Sequence, residues 1–304
     1  MAFIYGQNSS IANSIKSPDG SIVVNVKINQ GQIFYSVYKN DKLIIEDSQL
    51  GIIADKFDLA NNLNLVEVER NSHNEVWTQV WGEQKDVIDR HNELVLALAS
   101  EKDTFLGINI RFRLFDDGIG FRYELPRHWR TKEFNIMDEV TQFNFSEDSE
   151  SWWIPAYAYR RYEFLYANTL ISEIHRDKYS ELRENPGDPR IGPEAVQTPF
   201  TIQRNDGITI AIHEANLTNY SSMTLKANGT SHMECDLIPW SDGVKVRSGS
   251  PMLTPWRTII IGDNPSDITM STLTLNLNEP NKIEDTSWIN PGKYIGVWWE
   301  MIGT

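Results

Sequence analysis

The sequence predicts a mainly β protein, a large antiparallel β-super-sandwich. Three observations carry this expectation: apolar and polar residues alternate at period two in at least eight segments, tight-turn sequences separate those segments, and no stretch sustains a 3.6-residue apolar period. Short strands at such close spacing stack as antiparallel layers. A parallel α/β sheet would need helices between them.

The first unit is a hairpin, Ser21-Ile-Val-Val-Asn-Val-Lys-Ile-Asn-Gln-Gly31 followed by Gln32-Ile-Phe-Tyr-Ser-Val-Tyr38, in which β-branched and aromatic residues flank Asn-Gln-Gly. Residues 75–81, 93–98, 107–114, 119–125, 208–212, 232–237, 257–261 and 272–277 read as further strands. Asp116-Asp-Gly118, Asn205-Asp-Gly207, Asn228-Gly229 and Asp242-Gly243 punctuate them as turns. Along 116–124 the alternation assigns Ile119, Phe121 and Tyr123 to one face and Gly120, Arg122 and Glu124 to the other. Helical turns are expected only at 47–54 and 164–172. Residues 176–198, with three prolines and many charges, read as a surface insertion.

Charge and composition exclude several classes. Lys and Arg total 28 against 42 Asp and Glu, a net charge of −14, which disfavours nucleic acid and anionic membrane as partners. No segment is long and apolar enough to span a bilayer, so membrane insertion is not expected. The single Cys235 rules out an internal disulfide and reads as a buried, inert thiol. There is no Gly-rich phosphate loop, no Gly-x-Ser-x-Gly elbow and no Cys/His metal spacing. The six histidines are scattered, none at i, i+4 from another, which argues against a histidine metal site.

Two features remain as candidate chemistry. Trp152-Trp153, Tyr157, Tyr159, Tyr162 and Tyr166 form an aromatic cluster that either stacks on sugar rings or fills a core or interdomain seam. Trp152 and Tyr162 are its candidate substrate contacts. Glu214, just beyond the strand 208–212, is placed to act as an acid, a base or a ligand to a hard cation, or to be a solvated surface glutamate. Thr254-Pro-Trp-Arg-Thr258 reads as a strut between domains.

Domain organisation follows from composition. Residues 1–16 read as a tail or a signal-peptide remnant, 17–280 as the sandwich, and 281–304 as a polar connector and one further strand. That strand carries Trp298 and Trp299, and aromatic side chains of this kind need cover from neighbouring elements.

Taken in order, Ser17-Pro-Asp-Gly20, Trp81-Gly-Glu83, Phe112-Arg113, the 116–124 segment, Asp138-Glu-Val-Thr141, Trp152-Trp153, His213-Glu-Ala215, Thr254-Pro-Trp-Arg257 and Trp298-Trp-Glu-Met301 resemble the N-terminal part of glycoside hydrolase family 97. That family contains bacterial α-glucosidases and α-galactosidases. The resemblance implies a galactose-mutarotase-like super-sandwich followed by a (β/α)8 barrel, of which this chain holds the first strand. It implies that the catalytic residues lie in the barrel, with none in this chain. It also implies that Glu214 supplies one ligand to a Ca²⁺ ion beside an α-linked oligosaccharide, and that the whole enzyme is exported, typically to the periplasm. Glu214 is then expected at a strand end near Trp152 or Tyr162, on the surface that packs against the barrel. A stand-alone carbohydrate-binding or interaction module is the alternative.

Overall fold

The computed structural model describes residues 11–156, 164–178 and 191–294. Strands β1 (Ile11–Lys16), β2 (Ile22–Asn29), β3 (Gln32–Lys39) and β4 (Lys42–Leu50) form an antiparallel meander. The short β5 (Ile52–Ala54) follows. Next come the long β6 (Leu63–Thr78) and β7 (Asp86–Ser100), then β8 (Gly107–Phe115), β9 (Gly118–Leu125), β10 (Phe134–Glu139), β11 (Gln142–Asn144), β12 (Glu150–Trp153) and β13 (Ala167–Leu170). The remaining strands are β14 (Ala195–Gln197), β15 (Phe200–Gln203), β16 (Thr209–Ala215), β17 (Met223–Ala227), β18 (His232–Leu237), β19 (Val246–Ser248), β20 (Met252–Leu253) and β21 (Trp256–Gly262). Two short helices close the described fold, α1 (Pro265–Met270) and α2 (Leu273–Asn276).

One layer is a sheet in the order β13-β12-β15-β16-β21-β9-β8-β7-β6, with β20 paired to β9. The other joins two smaller sheets, β1-β2-β3-β4 and β11-β18-β17-β14, which meet at an Ile45–Phe145 bridge and where Asn144 N–H donates to Ser48 Oγ at 2.9 Å. A third, smaller sheet runs β19-β10-β5. The layers meet through aromatic rings: Tyr35 of β3 lies 5.2 Å from Phe121 of β9, and Phe121 lies 6.4 Å from Phe143 of β11. Tyr35, Phe121 and Phe143 are fully buried, so the apolar faces of the alternating strands are spent on each other. The mainly β, antiparallel super-sandwich predicted from the sequence is the fold observed.

Along β9 the alternation works as expected. Ile119, Phe121 and Tyr123 face the core, while Arg122 and Glu124 lie on the outer face. Cys235 is buried, and burial first, with the charge of Glu139 second, pushes its thiol well above the ordinary range.

Three local expectations are corrected. Residues 47–54 are not helical but belong to β4 and β5. Within 164–172, β13 precedes a single 3₁₀ turn, Ile171–Glu173. Residues 272–277 are not a strand but hold helix α2. There the leucines at period two mimic a strand, yet Leu273 and Leu277, one helical turn apart, are the two that bury, against Phe115 and Trp256. Of the strand expected at 75–81, residues 75–78 form the end of β6; the middle of β6, Glu69-Arg-Asn-Ser-His-Asn74, is polar and exposed and carries no apolar signal. The segment holding Trp298 and Trp299 lies outside the described residues.

Candidate functional site

Glu214 is the penultimate residue of β16 and pairs in register with Arg257 on β21. Both side chains face the interior between the layers. Arg257 is fully buried and donates from Nη1 to Glu214 Oε2 at 2.6 Å, while its Nε and Nη2 form two parallel bonds to Glu139 Oε1 and Oε2 at 2.8 and 2.7 Å. Glu139 ends β10 and accepts further bonds from Tyr220 Oη at 2.8 Å and Thr141 Oγ1 at 3.0 Å. Met223 N–H, at the start of β17 in the opposite layer, donates to Glu214 Oε1 at 3.1 Å. The cluster therefore ties β10, β16, β17 and β21 together.

Its electrostatics are lopsided. Two carboxylates share one guanidinium, an excess of one negative charge when both are ionised. Burial raises the Glu139 carboxyl, but the Arg257 guanidinium and the bonds from Tyr220 and Thr141 outweigh it and hold Glu139 below the usual range. At Glu214 burial wins over Arg257 and the Met223 amide, with Glu139 adding to the rise, so its carboxyl sits above the usual range. Glu139 holds the permanent charge. Of the two carboxyls, Glu214 is the one that takes up a proton more readily.

Glu139 was not singled out by its sequence, although a signal existed. An arginine inside the apolar strand Trp-Arg-Thr-Ile-Ile-Ile-Gly demands a buried carboxylate partner, although local spacing does not say which of the 42 acidic residues supplies it.

Trp152 is not brought to Glu214. It stands on β12 opposite Thr201, which stands opposite Ala211, so it lies two strands from β16 and on the opposite face from Glu214. Trp153 is fully buried, its Nε1 donating to Thr169 Oγ1 at 3.0 Å, and serves the core. Tyr157, Tyr159 and Tyr162 lie outside the described residues.

An open concavity lies elsewhere, on the outer face of the large sheet. A groove of about 1030 Å³ is walled by Trp77, Trp81, Trp256 and residues 275–281. Trp256, the neighbour of Arg257 on β21, points outward, and the guanidinium carbons of Arg122 and Arg113 lie 4.4 and 5.0 Å from its ring. Those arginines belong to a ladder across β7, β8 and β9. Glu93 accepts from Arg111 and Arg113, and Glu124 accepts from Arg111 and Arg122. Trp77 Nε1 donates to Asn276 Oδ1 at 2.9 Å and Asn276 Nδ2 donates to Ile88 O at 2.9 Å, which fastens α2 to the β6–β7 hairpin. The Trp-Arg pair of 254–258, expected to act as a strut, is thus divided between two faces: Trp256 floors a groove and Arg257 holds the core.

Calcium takes six to eight oxygen ligands. Among the described residues the Glu214 cluster offers one carboxylate edge already shared with an arginine, and the oxygens of Glu139 are taken. This donor set alone does not fit a calcium ion.

Layering, strand order and buried cluster define an antiparallel β-super-sandwich domain. Residues 15–280 match the family described as Glycosyl-hydrolase 97 N-terminal, and the chain belongs to that family. It is similar to a glycoside hydrolase family 97 enzyme from Pseudoalteromonas sp. strain K8, solved in complex with panose, at 37% identity and a TM-score of 0.85, covering 95% of this chain and 41% of that one. The same enzyme solved with acarbose superimposes with a TM-score of 0.84, again at 37% identity and 95% and 41% coverage. A protein named retaining alpha-galactosidase from Bacteroides thetaiotaomicron is 23% identical over 94% of this chain and 44% of its own length. The chain thus spans less than half the length of these relatives.

Proposed function

We propose that this chain is the non-catalytic N-terminal part of an exo-acting α-glycoside hydrolase, an α-glucosidase or α-galactosidase, in which it shapes one side of the substrate pocket. The observation that carries the reading is the likeness over nearly the whole chain to an enzyme solved with panose and with acarbose. Glycoside hydrolysis needs two carboxyl groups set across the scissile bond and free to exchange protons. Glu93 in the groove and Glu124 on the same ladder are each held by two arginines, and Glu139 in the core by one, which supports a catalytic pair supplied from outside this sandwich. We propose further that Glu214 gives one oxygen to calcium only where a longer chain brings the other ligands.

The test has two arms. The purified 304-residue chain is expected to leave p-nitrophenyl α-glucoside and α-galactoside intact, with or without Ca²⁺. A chimaera in which it replaces the matching part of the Pseudoalteromonas enzyme is expected to hydrolyse α-glucoside. Turnover by the chain alone would overturn the non-catalytic role. A folded but inactive chimaera would overturn the pocket-shaping role, and panose binding by the isolated chain would favour the stand-alone module.

A further inference from the structure

Register brings together what linear spacing keeps apart. On the β6–β7 ladder His73 stands opposite His91 and Glu75 opposite Asp89, so all four side chains share one face. Nε2 of His73 lies 3.3 Å from Glu75 Oε1 and 3.6 Å from Asp89 Oδ2, and the ligand atoms of these three residues all fall within 4.8 Å of one another. A tetrahedral ion with bonds of about 2.0–2.1 Å to nitrogen and oxygen separates its ligands by about 3.3–3.4 Å. Two of the three edges are already near that length.

The third ligand is built in rather than merely exposed. Asp89 is only 9% exposed, and its Oδ1 is 2.6 Å from His91 Nδ1. The ring of His91, 5% exposed, is fixed between Phe115, at 5.0 Å, and His73, at 5.1 Å. The other Asp89 oxygen, Oδ2, is left aimed at His73 beyond hydrogen-bonding distance. A ligand carboxylate oriented by a second residue is the arrangement that raises metal affinity without touching the ion.

We propose that His73, Glu75 and Asp89 bind a divalent first-row transition ion of the zinc type, with His91 orienting Asp89. One imidazole and two carboxylates suit such an ion better than calcium, which prefers oxygen alone. These side chains line the same groove as Trp77 and Trp81, so the ion's remaining coordination positions are open to a ligand entering there. The ion also clamps the exposed half of β6 to β7.

The experiment is calorimetric titration of Zn²⁺ into the tag-free, chelator-stripped chain, with Co²⁺ absorption to report coordination. One Zn²⁺ per chain with micromolar or tighter affinity is expected, and visible Co²⁺ bands of tetrahedral intensity. His73→Ala, at an exposed position, is expected to weaken binding at least tenfold with unchanged circular dichroism, and His91→Gln to weaken it by about 10–100-fold. His232→Ala, on β18 in the other layer, is expected to change nothing. Absence of stoichiometric binding would overturn the site, as would Zn²⁺ binding indifferent to His73→Ala. Displacement of Zn²⁺ by equimolar Ca²⁺ would equally overturn the assigned metal class.

Discussion

Glu214 accepts a 2.6 Å hydrogen bond from Arg257, its cross-strand partner on β21. The same guanidinium holds Glu139 by two further bonds, so one cation bridges carboxylates from two different sheets. Removing the cation from such a buried set leaves both carboxylates without a counter-charge.

Arg257→Met is therefore expected to lower unfolding free energy by about 3–5 kcal/mol, because two buried carboxylates lose their counter-charge. Glu139→Gln is expected to cost less, since Glu214 still faces the guanidinium. Glu214→Gln is expected to stay within about 1.5 kcal/mol of wild type, because Arg257 keeps Glu139 and the amide oxygen still accepts a bond. Urea denaturation of the three variants checks the order, and an equal cost for all three would contradict it.

The two carboxylates also predict opposite pH effects. Glu214 has a raised carboxyl in the folded state, so the folded protein binds the proton more tightly. Its contribution to stability is full below the unfolded value near 4.5 and is lost as pH rises through the folded value. Glu139 is lowered, so its contribution is full above about 4.5 and is lost as pH falls through its folded value. Relative to Glu214→Gln, wild type is expected to lose stability on going from acid to neutral pH. Relative to Glu139→Gln, it is expected to gain stability as pH rises from strong acid to 4.5. Parallel stability–pH curves for wild type and both variants would refute the assignment.

Gly118 closes the Asp116-Asp-Gly turn and pairs with Ile260. A Cβ there would lie 2.3 Å from Ile259 O and 2.9 Å from Ile260 Cα, both backbone atoms that cannot swing aside. Gly118→Ala is expected to destabilise by about 1–3 kcal/mol through overpacking. Gly229→Ala is the control, because its Cβ would meet nothing within 4 Å. That substitution strains only the turn, where φ is +81°. A thermal melt that ranks Gly229→Ala as the more damaging would refute the close-approach argument.

Much of the fold was legible because a strand with one buried face writes its pattern locally. Ile22, Val24 and Val26 alternate with Val23, Asn25 and Lys27, and the structure buries the first set. Where burial is not alternating, the signal fails. The middle of β6, Glu69 to Asn74, carries no apolar rhythm, and the leucines of α2 alternate although only Leu273 and Leu277 bury.

By itself, then, the sequence determined the β class, the turns, the core face of strands such as β9 and the family to which the chain belongs, because each depends on residues near one another along the chain. Only the tertiary structure decided that Glu214 faces Arg257 inside the sandwich and that Trp152 stands apart from it. It alone joined Glu139 to a partner 118 positions away and laid His73 across from His91. Such relationships depend on strand register and on the order of strands within the layers. These are set by the packing of the whole core, which no local spacing records.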